Sequence, residues 1–187
     1  MEAVEAYKYF GLLYFVVLWS AMIYILVREP HDKTKTISRH VATYKQTFIA
    51  FAIARTITIP LWILFAFGWL VPALDLPFAA SVLFAIAIPA DLISAWVPAI
   101  EGRKGKVHKL STVVVGSMYV PVSIMFALSP HVSTPAQVII WTDIVLMAVT
   151  GPLFVTRKKS KNYYLYFQLS YFVFFDSAFL AAAFLSV

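Results

Sequence analysis

Six apolar runs, each long enough or nearly long enough to cross a membrane as a helix, divide this sequence of 187 residues. A hydrocarbon core of about 30 Å takes about 20 helical residues to cross. Inside a bilayer the backbone must satisfy its own hydrogen bonds, which favours helices for runs of this length. We therefore predict an all-α bundle of six transmembrane helices in a single domain, 1–187. The predicted spans are 9–27, 47–70, 78–99, 110–129, 136–156 and 163–186.

The composition indicates that lipid is the solvent of much of the chain. Hydrophobic residues make up 61% of the sequence and charged residues 13%, whereas a soluble domain has about 45–50% apolar and about 25% charged residues. The net charge of +6 raises the possibility of a nucleic-acid partner. The basic residues, however, lie in short turns between the apolar runs, as is typical of membrane proteins. We therefore predict membrane lipids, and no nucleic acid, as partners.

The distribution of basic residues predicts the orientation of the chain. The first, third and fifth gaps between the runs hold 13 of the 15 Lys and Arg, while the second gap, VPALDLP, and the fourth, SPHVSTPA, hold none. Cytoplasmic loops of membrane proteins carry an excess of Lys and Arg. This pattern predicts three helical hairpins with cytoplasmic turns and both termini outside (N-out/C-out). We expect a multi-pass protein of the plasma membrane.

The first basic gap, residues 28–46, is the longest of the five gaps and leaves two interpretations open. It can contain a short amphipathic helix at the membrane interface, with Lys and Arg drawn to anionic lipid headgroups. It can equally be a solvated loop.

Four ionisable residues lie within the predicted spans, where a charge is costly and is by default a functional hypothesis. Arg55 and Asp91 lie at similar distances from the nearest basic gap, so they can pair in the inner half of the membrane. A structural ion pair, in which each group neutralises the other, is the favoured interpretation of these two. Both remain candidates for a proton- or ligand-binding site.

The other two, Asp143 and Asp176, have matching depths near the membrane midplane. If their carboxyl groups meet, they cannot both be ionised in a low dielectric, and one of them holds a proton. That arrangement suits a proton relay or a cation site. The alternative is that each aspartate accepts a hydrogen bond from a neighbour, such as Thr142 or Ser177, and has no further role.

The basic gaps also supply candidates for contact with anionic lipid headgroups. An ordinary solvated turn is the alternative for each of them. The candidates are Arg103, Lys104, His108, Arg157, Lys158 and Lys159.

The sequence offers little chemistry for catalysis or for cofactors. It has no cysteine, and its four histidines fall in or beside the gaps. Neither an HExxH nor a GxSxG motif occurs, and no lysine lies within a span to carry a Schiff base. We predict no metal and no cofactor, and the sequence favours a role other than catalysis.

Short motifs carry a resemblance to a known family. They are the stretch TISRHVATYKQTFIAFA with Ser38, a Pro-x-Asp at Pro89 and Asp91, and a His-x-Leu at His108 and Leu110. Together with the closing apolar span, these resemble the domain of unknown function 998 family of six-span membrane proteins, which is related to the DRAM group. The resemblance implies six helices and no established reaction, with Asp91 and His108 as the positions of interest.

Three functional hypotheses follow from the sequence, and the least favoured is an intramembrane enzyme, because no nucleophile–base set is readable. The first is a small transporter or ligand-binding protein that uses intramembrane carboxylates for a proton, a cation or a cationic solute. The second is a non-catalytic protein that interacts with lipids or assists assembly through its basic cytoplasmic face.

Overall fold

The computed structural model describes residues 2–28, 32–156 and 163–186, and within these ranges it contains helices and no strand. The all-α prediction is confirmed for this part of the chain. The helices are α1 (Glu2–Arg28), α2 (Ile37–Thr43), α3 (Lys45–Phe65), α4 (Val71–Ala73), α5 (Phe78–Trp96), α6 (Arg103–Leu128), α7 (Thr134–Thr156) and α8 (Tyr164–Phe184).

The described helices have the length and composition of membrane spans. Five helical segments are long and apolar enough to cross a bilayer, and α7 covers the fifth apolar run over 23 residues. The chain thus has the helices of an integral membrane protein, and six crossings stay a prediction. The five segments are Glu5–Arg28, Lys45–Ala73, Phe78–Trp96, Arg103–Leu128 and Tyr164–Phe184.

The helices pair as hairpins. The most extensive contacts in the bundle join α1 to α3, α5 to α6 and α7 to α8, which are the three pairs that the sequence predicts. Helix α8 also contacts α1, α2 and α6, so the last helix links the third hairpin to the other two.

A π-helical segment, Ala66–Leu70, continues α3 into α4. Single π-helical turns within α-helices are uncommon and often lie at functional sites. Here the segment brings Gly68 against the ring of Tyr7 on α1. It also buries Trp69, whose indole N–H donates to Glu5 at 3.3 Å. The segment therefore fixes the position of α3 relative to the first turns of α1.

Helix α6 begins seven residues before the predicted span. The predicted run starts at residue 110, but the helix starts at Arg103, so the second of the three basic gaps is partly helical. Lysine and arginine are good helix formers, and a transmembrane helix can extend beyond the hydrocarbon because only its central 20 or so residues must be apolar. The helix is therefore longer than the predicted span, and the bounds of the span itself stay a prediction.

The first basic gap contains a short helix, α2, that packs against protein. Ile37, His40 and Val41 are buried where α2 meets α1, α3 and α8. The backbone N–H of Ile37 donates to the side-chain oxygen of Gln168 on α8 at 2.7 Å. The helical interpretation of this gap is therefore correct, but the apolar face of the helix contacts its own bundle.

The described residues before α2 form a tight turn. Asp32 accepts hydrogen bonds from the hydroxyl of Thr34 at 2.5 Å and from its backbone N–H at 2.9 Å. The hydroxyl bond above all, then the backbone bond, lowers the pKa of the exposed Asp32 carboxyl. His40 joins the turn to α2, because its Nε2 accepts from the backbone N–H of Asp32 at 3.2 Å.

The core of the bundle is aromatic and is centred on Trp62 of α3. This indole is 3% exposed, and it lies within aromatic contact distance of six other rings, which belong to α1, α3, α5, α6 and α8. The rings around Trp62 belong to Tyr14, Phe15, Phe65, Phe84, Tyr119 and Phe179, at centroid distances of 4.7 to 6.3 Å.

Close packing of α1 on α3 predicts that Gly11 tolerates no side chain. A Cβ on Gly11 would lie 2.7 Å from the fully buried ring of Phe65, and overpacking of this kind costs about 1–3 kcal/mol. We expect Gly11→Ala to lower the free energy of unfolding by about that amount, measured by thermal or denaturant unfolding in detergent micelles.

The matched control is Gly116→Ala on α6, where a Cβ would meet nothing within 4 Å. Alanine is a better helix former than glycine by about 1 kcal/mol, so this variant should be as stable as the parent chain or more stable. Equal stability losses at the two glycines would contradict the close packing of α1 on α3.

Candidate functional site

Arg55 and Asp91 form an ion pair between α3 and α5. The Arg55 guanidinium is buried, and the Asp91 side chain is 15% exposed. Each group alone would be costly at this depth, whereas together they are neutral and hydrogen-bonded. The pairing predicted from their similar depths is confirmed.

Tyr14 of α1 adds a third helix to this pair. Its hydroxyl accepts a hydrogen bond from the Arg55 guanidinium at 3.1 Å. The guanidinium carbon also lies 5.7 Å from the centre of the Tyr14 ring, within reach of a cation–π interaction. The guanidinium of Arg55 on α3 is thus held by the carboxylate of Asp91 on α5 and by the hydroxyl and ring of Tyr14 on α1, so the group joins three helices.

Asp176 of α8 lies beside this group. Its side chain is 8% exposed, and its Oδ2 accepts a hydrogen bond from the indole N–H of Trp19 on α1 at 2.6 Å. Arg55 also interacts electrostatically with the Asp176 carboxyl group. Within the described ranges, the second oxygen of Asp176, Oδ1, has no hydrogen-bond donor.

We call Arg55, Asp91, Tyr14, Trp19 and Asp176 the ionic cluster. It holds one basic side chain and two acidic ones, so the charges of Arg55 and Asp91 cancel and Asp176 is in excess. A second buried carboxylate without a countercharge is costly in a low dielectric. The cluster therefore has the composition of a site that takes up one positive charge at Asp176.

Asp143 and Asp176 do not form the carboxyl pair that the sequence analysis anticipates. Asp143 accepts a hydrogen bond from the hydroxyl of Ser177, and Asp176 accepts from Trp19. Successive residues of an α-helix point about 100° apart. Ser177 consequently faces α7 while Asp176 faces α1, and equal depth in the membrane does not bring the two carboxyl groups together.

The Asp143 contact belongs to the packing of α7 on α8. One turn further along α7, the backbone oxygen of Met147 accepts a hydrogen bond from the hydroxyl of Tyr171 on α8 at 2.7 Å. Asp143 and Met147 share one face of α7, and both bonds join this helix to α8. The open alternative in the sequence analysis, a hydrogen bond from Ser177 to Asp143, is the arrangement that the structure contains.

The headgroup candidates divide into three kinds. Arg103 and Lys104 are exposed in the first turn of α6. His108 is half-buried, and its Nδ1 is hydrogen-bonded to the backbone oxygen of Val97 at 2.8 Å, so its ring closes the turn between α5 and α6. The remaining candidates, Arg157, Lys158 and Lys159, lie outside the described residues.

Sequence reasoning did not identify the roles of Tyr14 and Trp19. Both are amphipathic aromatic residues of α1, and such residues are common at membrane interfaces. The signal that could have identified them is their depth, since each lies well inside α1 (Glu2–Arg28). A buried indole N–H or phenol hydroxyl needs a partner, and the intramembrane Asp and Arg are the strongest partners available.

The described residues contain no group of three or more His, Cys, Asp and Glu side chains that could hold a metal ion. Comparison of the chain with models of protein families, with curated proteins and with solved structures gives no match. The resemblance to the domain of unknown function 998 family therefore stays a prediction, which depends on the short motifs at Ser38, Pro89 and His108.

The ion pair predicts strong coupling between Arg55 and Asp91. Removing one partner leaves the other as an unpaired charge, which costs about 3–5 kcal/mol for a buried pair. We expect Arg55→Met alone to lower the free energy of unfolding by about that amount. The double variant Arg55→Met/Asp91→Asn should recover most of the loss, because it leaves no unpaired charge.

Unfolding of Arg55→Met, Asp91→Asn and the double variant in lipid bicelles measures this coupling as a double-mutant cycle. Additive losses would contradict a stabilising pair in the folded protein.

Proposed function

We propose that this protein is a small transporter that binds a proton or a small cation at Asp176. In this proposal the chain crosses the plasma membrane six times with both termini outside. Support for the membrane location comes from the five described helices of sufficient length and apolar character, and support for the orientation comes from the alternation of basic and non-basic gaps.

The observation that carries the proposal is the charge composition of the ionic cluster. Arg55 neutralises Asp91 directly, and the carboxyl group of Asp176 is left with one neutral donor, the indole of Trp19. Buried carboxylates in membrane helices commonly mark ion pathways and proton relays. A proton or a small cation at Asp176 would complete the charge balance of the cluster.

The surroundings of Asp176 favour a small positive charge. Trp19 and Tyr14 are both part of the cluster, and Tyr119 of α6 interacts electrostatically with the carboxyl group of Asp176. Aromatic faces attract cations, and the attraction increases when the cation is desolvated. An anion would need a free basic side chain to bind here, and the basic side chain of the cluster, Arg55, is already paired with Asp91.

The proposal gives the four intramembrane charged residues different roles. Arg55 and Asp91 form a neutral pair that holds α3 against α5 next to the binding site. Asp143 holds α7 against α8 through Ser177. Asp176 alone is the binding group.

Substitution of the two buried aspartates of the third hairpin should separate these roles. We expect Asp176→Asn to abolish uptake of protons or monovalent cations by proteoliposomes, because asparagine keeps the size of the side chain and loses the charge. Asp143→Asn is the matched control, since it changes an equally buried aspartate that lies outside the ionic cluster, and it should retain uptake. The measurement is the fluorescence of a pH- or cation-sensitive dye inside the vesicles after a gradient is imposed.

Two results would contradict the proposal. One is uptake by the folded Asp176→Asn variant at the rate of the parent chain. The other is uptake by the parent chain that does not exceed the rate of protein-free vesicles at any tested gradient of H⁺, Na⁺ or K⁺.

A second candidate function has a separate observation in its favour. Four basic residues at the start of α6 are exposed, and none of them has an ion-pair partner in the described part of the chain. Exposed basic residues next to a membrane span are attracted to anionic lipid headgroups by about 1 kcal/mol each. These residues are Arg103, Lys104, Lys106 and Lys109.

Charge reversal tests this lipid-binding function. We expect Arg103→Glu/Lys104→Glu to reduce the number of phosphatidylglycerol molecules that remain bound in native mass spectrometry, and high salt to have the same effect on the parent chain. Binding of phosphatidylcholine, which has no net charge, is the control and should not change. Unchanged retention of the anionic lipid would count against a headgroup site on this turn.

A further inference from the structure

The indole of Trp62 is the exception among the tryptophans of this chain. The chain has five tryptophans. Three of them donate a hydrogen bond to a side-chain oxygen on another helix: Trp19 to Asp176, Trp69 to Glu5 and Trp96 to Thr56. Trp141 is 41% exposed. Trp62 is the most buried of the five, and its Nε1 has no acceptor in the part of the chain that the structure describes.

A second buried donor without a partner in the described part of the chain lies on α6. Ser123 of α6 is fully buried, and its hydroxyl has no hydrogen bond among the described residues. Its helical neighbours Tyr119 and Phe126, one turn away on either side, both contact the ring of Phe179, at 5.6 and 5.0 Å. Ser123 therefore belongs to the face of α6 that packs against Phe179.

Trp62 borders the same ring. Its indole lies 4.7 Å from the ring of Phe179 and 6.3 Å from that of Tyr119. The hydroxyl of Tyr119 interacts electrostatically with Tyr14, Arg55 and Asp176, so it belongs with the ionic cluster. Two buried polar groups without partners among the described residues, on α3 and α6, thus lie on the helix faces that pack against the ring of Phe179.

The chemistry of these groups specifies what can bind between them. An indole N–H only donates, and a hydroxyl donates or accepts, so the complement of Trp62 is an acceptor. Buried polar groups in folded proteins nearly always have a partner. The bound group carries no full charge, because no free countercharge lies beside Trp62. The basic residue on the same helix, Arg55, is seven residues away, about 10 Å along α3, and is already paired with Asp91.

We infer that Trp62 and Ser123 form a second binding site, which holds an uncharged oxygen acceptor between α3, α6 and α8. The oxygen belongs to a water molecule or to the hydroxyl or carbonyl group of a small neutral solute. This site goes beyond the cation site at Asp176 and does not depend on it, since no group of the ionic cluster is needed to bind the oxygen.

The indole resonances of the protein provide the test. In protein labelled with ¹⁵N-tryptophan and reconstituted in nanodiscs, Trp62→Phe identifies the Trp62 signal as the one that is lost. We expect that signal at a hydrogen-bonded chemical shift, and Ser123→Ala should move it toward the free-indole position and accelerate its exchange with deuterium. Ser117→Ala is the matched control, because Ser117 is an exposed serine of α6 that bonds the backbone oxygen of Val114.

The two sources of oxygen give different results. A bound water produces a cross-peak between the Trp62 indole proton and the water resonance. A bound solute produces no such peak, and native mass spectrometry then detects a copurified small molecule that is lost from Ser123→Ala.

The inference is overturned if the Trp62 signal lies at the free-indole position and shifts no more in Ser123→Ala than in Ser117→Ala. In that case Ser123 bonds the backbone oxygen of Tyr119 in its own helix, as serine often does. The flux measured for Asp176→Asn is a separate observation, so failure of either proposal leaves the other standing.

Discussion

The ion pair between Arg55 and Asp91 is the interaction on which the arrangement of the bundle depends. It joins α3 to α5, which belong to different hairpins, and the Arg55 guanidinium also bonds Tyr14 of α1. Association of helices in a bilayer gains little from the hydrophobic effect, since lipid is as apolar as the helix surfaces. A buried charge pair therefore specifies which helices meet and in which register, because a shifted helix would leave both charges alone.

Hydropathy and charge were sufficient to predict much of the fold. The helix ends of α5 and α7 agree with the apolar runs to within three residues, and the three hairpin pairs follow from the order of the runs. Helices α1 and α6 begin before their apolar runs, at Glu2 and Arg103. Hydropathy reports where the hydrocarbon is, and the end of a helix depends instead on local propensity and on the first available turn.

The candidate site could be predicted only in part. Depth along the chain placed Arg55 beside Asp91, but the same argument failed for Asp143 and Asp176. The position of a side chain depends on its depth and also on its direction around the helix axis. Ser177 and Asp176 are neighbours in sequence, but their side chains point about 100° apart and so face different helices. The aromatic partners Trp19 and Tyr14 depend on that direction as well, so their depth in α1 makes them candidates but does not show which charged residue each one bonds.

The contact of α2 with α8 has a consequence for the order in which the protein forms during synthesis. Helix α2 has seven residues, too few to be stable in isolation. The acceptor for its first backbone N–H is Gln168, 131 positions later in the sequence. The loop after the first span therefore cannot take its final shape until the last span has emerged from the ribosome and entered the bilayer. Packing of α2 against α8 is therefore a late step in the folding of this chain.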